Sequence, residues 1–185
     1  MKKLNFYTIS DIDELAWPDE EQNLSLESPA LSFFTDFLEI TPLVIESSVS
    51  AVHAKELMQK SHVRMKVVVN ERKQFIGIIS ADDIIERKIV QKVSKNTKYD
   101  EVTLIELMTS KRDLKALDYK EVSNSKIADV ISSLKDNGEQ HCLVINHETH
   151  QIRGIFSASD ISRKLHLPIN IQDKSSFYKV FSATG

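Results

Sequence analysis

Cysteine is almost missing from this sequence. Its 185 residues contain one, Cys142, so no disulfide framework can form within it. Cys142 sits in the apolar run "CLVI" and reads as a small buried hydrophobe. Glycine is scarce as well, at four residues. There is no Gly-x-Gly-x-x-Gly turn and no phosphate loop ending in Gly-Lys-Ser/Thr, which argues against a dinucleotide or triphosphate enzyme. No apolar run approaches the roughly 18 residues of a membrane helix. The opening "MKKLNFYTISDIDEL" has no apolar stretch of the secretory kind, because Asp11, Asp13 and Glu14 interrupt it. A soluble cytoplasmic protein with no membrane association is the expectation. Between Lys3 and Lys55 there is no Lys or Arg. Residues 1–54 carry ten acidic and two basic side chains, although the net charge of the whole is only −3. Such an acidic arm either crosses the basic remainder, meets a basic partner, or is a solvated edge. No basic run interleaves with aromatics, so nucleic acid is not an expected partner.

Catalytic patterns are missing too. No Ser/His/Asp or Cys/His arrangement stands out, and "GIFSA" is not Gly-x-Ser-x-Gly. The pair His147 and His150 in "HETH" sits in a turn without Cys or clustered carboxylates, and reads as solvated rather than metal-binding. His53 and His62 read as polar-face or capping residues, and His141, opening a strand, as a possible cleft lining. The expectation is therefore no enzyme, no catalytic residue and no metal.

What the sequence has is a repeat. "GIISADDI" (77–84) and "GIFSASDI" (154–161) align at an offset of 77, pairing Gly77 with Gly154, Ser80 with Ser157 and Asp83 with Asp160. Upstream the offset is 76, placing "MKVVVN" over "HCLVIN" and "AVHAKELM" over "IADVISSL". The extra residue falls between two strands, where a turn absorbs it. Apolar spacing predicts helices over 50–60 and 126–137, with Ser125 as N-cap and Gly138 as C-cap of the latter. Short β-branched runs predict strands at 67–69 and 143–145, and hairpin partners at 75–79 and 152–156. Further helices are predicted over 81–93 and 158–165, and short first strands near 43–45 and 116–119. Each unit is thus β-α-β-β-α. Neither closes a core alone, so two α+β repeats packed sheet to sheet are expected. The divisions are 1–36 acidic arm, 37–93 first repeat, 94–113 connector, 114–166 second repeat and 167–185 tail. The connector holds an amphipathic piece, Val102 to Met108, and the tail's Phe177, Val180 and Phe181 suggest a short amphipathic helix.

Duplicated units of this order, each ending in Gly-φ-φ-Ser/Thr-x-x-Asp-φ (φ apolar), resemble a pair of CBS domains, a Bateman module. The lead-in "IELMTS" (105–110) is similar to the Leu/Ile-Met-Thr phrase common before such repeats. The resemblance covers residues 41–166. Lys66 and Cys142 stand where many such units have Pro, and Asn70 and Asn146 where they have Asp. The resemblance implies an adenine nucleotide (AMP, ADP or ATP before S-adenosylmethionine) between the repeats. It implies Asp83 and Asp160 as acceptors of ribose hydroxyls, Ser80 and Ser157 beside them, and Arg87 and Arg163 as phosphate contacts. It also implies a homodimer and a regulatory output to an effector protein.

Physical chemistry supports that use of the motif, and one other. An ionised carboxylate is acceptor-only and can take two vicinal hydroxyls in charge-assisted bonds. Yet Ser-x-x-Asp ahead of an apolar helix is also a capping box. The second reading is therefore a structural or interaction dimer without nucleotide, with both motifs acting only as caps.

Overall fold

The computed structural model describes residues 24–166. The expected strand or cap near the start and the amphipathic tail around 177–181 lie outside the described residues.

Described from its N-terminal end, the chain makes a 3-10 turn, Ala30–Phe33, and a two-residue strand β1 (Thr35–Asp36). The first repeat follows as β2 (Val44–Glu46), α1 (Ala51–Lys60), β3 (Met65–Val69), β4 (Phe75–Ser80) and α2 (Glu86–Val90). The connector forms 3-10 turns at Tyr99–Glu101 and Leu104–Glu106, then β5 (Thr109–Ser110). The second repeat is β6 (Ala116–Asp118), α3 (Tyr119–Val122), α4 (Ile127–Asn137), β7 (His141–Asn146), β8 (Gln151–Ser157) and α5 (Ala158–Lys164). The mixed α/β class and the doubled β-α-β-β-α order agree with the sequence.

Each repeat folds its first strand parallel to its second, Val44 opposite Val67 and Ala116 opposite Leu143. Each then closes an antiparallel hairpin whose register shifts at matching places, Val68/Val69 and Val144/Ile145. Asn70 and Asn146 start the hairpin turns because their side-chain oxygens accept backbone N–H groups, from Arg72 at 3.0 Å and Glu148 at 2.9 Å.

The sheets exchange their edges. The first has the order β2-β3-β4-β5 and the second β1-β8-β7-β6. Thus β5, just ahead of the second repeat, completes the first sheet. Likewise β1, ahead of the first repeat, completes the second. This exchange explains the glycine of the repeated phrase. A Cβ on Gly77 would meet the Thr109 carbonyl oxygen at 2.3 Å, and one on Gly154 would meet that of Thr35 at 2.2 Å. Only a residue without a side chain lets the edge strand approach so closely.

The segments leading into the two repeats are also counterparts. Leu104 N–H bonds to the Val49 carbonyl and Ala51 N–H to that of Val102; Ala30 N–H bonds to the Ser125 carbonyl and Ile127 N–H to that of Ser28. Accordingly Val102 and Leu104 are buried in the first repeat's core, and Ala30 and Phe33 in the second's. Residues 28–36 are therefore built like the connector, although the sequence places them outside the repeat.

Two expectations need correction. The predicted helix over 81–93 is only five residues long, because residues 81–84 form a turn and Ile85 is extended. Ile84 and Ile89 are both buried, but five residues apart they cannot share one helical face. The break at Ile85 resets the phase so that both reach the core. Ser125 is not the N-cap of α4. Its hydroxyl donates to the Glu121 carbonyl, while Lys126 is the cap and its N–H donates to the Asp129 carboxylate at 2.9 Å. Gly138 closes α4 in the left-handed region at φ 67°, as predicted. A third buried cluster, Ile78 with Leu143 and Ile155, joins the two sheets.

Candidate functional site

The doubled strand-to-helix junctions stand at the C-terminal ends of β4 and β8, and each opens into a cleft between the repeats. The smaller, of about 160 Å³, is lined by Ile78, Ser80, Asp82, Asp83 and Thr109 of one half and Gly138 to His141 of the other. The larger, of about 370 Å³, sets Ile155, Ser157, Ser159, Asp160 and Arg163 against residues 62–65 of the first repeat. The two are counterparts. Thr35 lines the larger where Thr109 lines the smaller, and residues 62–65 take the place of 138–141. The larger cleft also has an apolar rim, Phe37, Ile40, Pro42 and Leu43, which the smaller one lacks.

Ser80 and Asp83 meet in the smaller cleft. The Asp83 carboxylate accepts the Ser80 N–H at 2.9 Å and the Ser80 hydroxyl at 2.6 Å, and its other oxygen takes the Lys88 ammonium at 2.9 Å. Both oxygens of Asp83 are thereby engaged within its own repeat. Asp82 and Glu139 also line this cleft, so three carboxylates face one guanidinium, that of Arg64. An anionic ligand is disfavoured there.

Ser157, Asp160 and Arg163 meet in the larger cleft, in a looser arrangement. Among the described residues Asp160 pairs only with Arg163, at 2.6 Å within one helical turn. The Ser157 and Ser159 hydroxyls lie 2.8 Å apart, and Ser157 makes no cap hydrogen bond. Here two guanidinium groups, Arg64 and Arg163, face one carboxylate, Asp160. The motifs therefore share a sequence pattern but not a hydrogen-bond pattern: the reach-back bond of a capping box exists at Asp83 and has no counterpart at Asp160.

Arg87 lines neither cleft. The break at Ile85 turns α2 so that Lys88, not Arg87, comes back to the carboxylate. Sequence reasoning missed Arg64, which lines both clefts. Its signal was present, since at the repeat offset it stands over uncharged Gln140. His141 also lines both clefts, as the sequence allowed. Burial holds its imidazole below the ordinary histidine value, and the nearby Asp160 carboxylate partly opposes that. His62 lies in the larger cleft at φ 52°, the counterpart of Gly138. Burial pushes the Cys142 thiol up, which keeps it protonated and unreactive. His147 stands 3.5 Å from the Asp118 carboxylate, away from both clefts. Among the described residues no group of three or more His, Cys, Asp or Glu is arranged to hold a metal, and no helix is long and apolar enough to cross a membrane.

Residues 36–89 match the family model of the CBS domain. No curated protein matches the chain. Among solved structures, a conserved protein from Pyrococcus horikoshii is 24% identical, with a TM-score of 0.57 over 76% of this chain and 93% of that one. The CBS domain pair of the protein MJ0100, in complex with 5'-methylthioadenosine and S-adenosyl-L-methionine, is 18% identical, with a TM-score of 0.53 over 74% and 94%. The protein CBSX2, in complex with AMP, gives the same identity, TM-score and coverage. These likenesses are of fold.

Proposed function

We propose that this chain, which carries a CBS domain at residues 36–89 within the fold of a CBS-domain pair, is a regulatory module that binds one adenosine-containing nucleotide in its larger cleft. The observation that carries this reading is the division of that cleft. Phe37, Ile40, Pro42, Leu43, Val63 and Ile155 form apolar walls suited to a purine, while Asp160, Arg163 and Arg64 gather at its polar side. Asp160 takes the ribose hydroxyls, and the guanidinium groups take phosphate. The adenosine ligands in the complexes of MJ0100 and CBSX2 support the ligand class. The smaller cleft stays empty of nucleotide, because both oxygens of Asp83 are already engaged by Ser80 and Lys88, and Asp82 and Glu139 repel phosphate. The module catalyses nothing itself. It acts as a homodimer and passes occupancy to an effector protein through the packing of its two repeats.

The test is calorimetry with AMP, ADP, ATP, S-adenosylmethionine and 5'-methylthioadenosine on wild type, Asp160→Ala and Asp83→Ala. Wild type and Asp83→Ala should bind at least one of these ligands with one site per chain, and Asp160→Ala should lose roughly tenfold or more in affinity. No heat from any of them with wild type, or equal affinity in Asp160→Ala, would sink the assignment. The bound ligand should also raise the melting temperature by mass action.

A further inference from the structure

The apolar rim of the larger cleft rests on the core at its first residue, Phe37, which packs against the Ile78, Leu143 and Ile155 cluster, and then stands out from it. Leu38 and Ile40 within the rim are 72% and 56% exposed. Its polar attachment to the second sheet runs through two residues, Asp36 at the end of β1 and Arg153 in β8. The Asp36 carboxylate takes both arms of the guanidinium, Nε at 2.8 Å and Nη2 at 2.6 Å, and also accepts the Leu38 N–H at 2.9 Å. The Asp36 carbonyl accepts the N–H groups of Glu39 and Ile40, and the Arg153 carbonyl accepts that of Phe37. On its far side the Arg153 guanidinium lies over the Tyr119 ring, 4.5 Å from its centre. Both partners are largely shielded, at 22% and 15% side-chain exposure. Neither lines the cleft.

The counterpart positions supply a control within the same molecule. Ser110 stands for Asp36 and Ile76 for Arg153. The backbone bonds survive there: Lys111 N–H donates to the Ile76 carbonyl and Asp113 N–H to that of Ser110. The ion pair is gone, and residues 111–113 do not line the smaller cleft. The bidentate pair exists only where an apolar rim has to be held over a cleft. A planar guanidinium locked between a carboxylate and an aromatic face fixes orientation as well as distance.

We infer that Asp36 and Arg153 are positioning residues that hold the Phe37–Leu43 rim as the base-contacting wall of the larger cleft, and so set its preference for ligands that carry a purine. This rests on the nucleotide reading of that cleft. The rim meets the base and not the sugar phosphate, so loosening it should weaken AMP and adenosine and spare ribose 5-phosphate.

The experiment measures dissociation constants of AMP, adenosine and ribose 5-phosphate by chemical-shift titration for wild type, Asp36→Asn and Arg153→Lys. Arg153→Lys keeps the charge and loses the fork, and it serves alone if Asp36→Asn does not fold. The expected result is a roughly tenfold loss for AMP and adenosine with ribose 5-phosphate unchanged. Equal losses for all three ligands would show a general loosening and overturn the inference. Wild-type affinities in both variants would overturn it too, while leaving the nucleotide reading intact. A wild type that binds neither AMP nor adenosine overturns this inference, and the nucleotide reading falls with it only when ADP, ATP, S-adenosylmethionine and 5'-methylthioadenosine fail to bind as well.

Discussion

His141 illustrates how much a single side chain can carry in this molecule. It stands in the wall of both clefts, opposite Ser157 in the β7–β8 pairing and among Arg64, Asp82, Asp83 and Asp160. Burial disfavours its charged form, so the folded protein holds a proton there less readily than the unfolded chain does. Above the ordinary value of 6.5 both states are neutral, and the group leaves stability unchanged. As the pH falls through 6.5 the unfolded chain takes up the proton first, and stability drops until the folded-state value is reached. Urea unfolding from pH 7.5 to 5.5 should therefore show a decline in wild type that is shallower in His141→Gln. Identical slopes would mean that His141 is not buried as described. At the same scale the paired motifs diverge: Asp83 is held by Ser80 and Lys88 while Asp160 pairs with Arg163, and an aspartate at position 82 stands where the second motif has Ser159.

At the scale of elements, the segment ahead of the first repeat is a structural part of the second. Phe33 is buried against α4 and β8, its segment is pinned by backbone bonds from Ala30 N–H to the Ser125 carbonyl and from Ile127 N–H to the Ser28 carbonyl, and Lys164 of α5 donates to the Ser32 carbonyl at 2.6 Å. Lys126 pairs with Glu27 at the same seam. Phe33→Ala should destabilise the protein by about 3–5 kcal/mol, the usual cost of emptying a buried aromatic site. Equilibrium urea denaturation checks this, and a change under about 1 kcal/mol would mean that the arm is an appendage. The acidic character of the arm has a partial account here, since Glu27 and Asp36 each meet a basic side chain of the second repeat.

Considered as a whole, the molecule cannot be cut into two independent halves. Thr35 pairs with Ile155 and Asp36 with Gly154, so the second sheet is completed by the chain that precedes the first. The cluster of Ile78, Leu143 and Ile155, with Met65 and Phe75 against it, buries one repeat's apolar face on the other's. Unfolding should accordingly be a single transition. Far-UV circular dichroism and hydrogen exchange of β3 and β7 amides should share one urea midpoint, and two separated midpoints would refute the coupling.

The sequence by itself determined the doubled unit, its four central strands, the helices α1, α4 and α5, and the two Ser–Asp pairs. All of these follow from local periodicity and from spacing repeated at a fixed offset, which the chain carries without reference to its fold. It could not show the edge strands β1 and β5. Two residues have no period, and their partners lie in the other half. Nor could it show that helix α2 breaks at Ile85, since only the depth of the core demands that Ile84 and Ile89 both turn inward. That break sends Lys88 rather than Arg87 to Asp83, and the packing of the repeats brings Arg64 and His141 to both clefts. The tertiary structure thus decided which of two similar phrases faces an apolar rim and an open carboxylate. Such an arrangement depends on side chains from distant parts of the chain converging in one space, which spacing along the sequence does not encode.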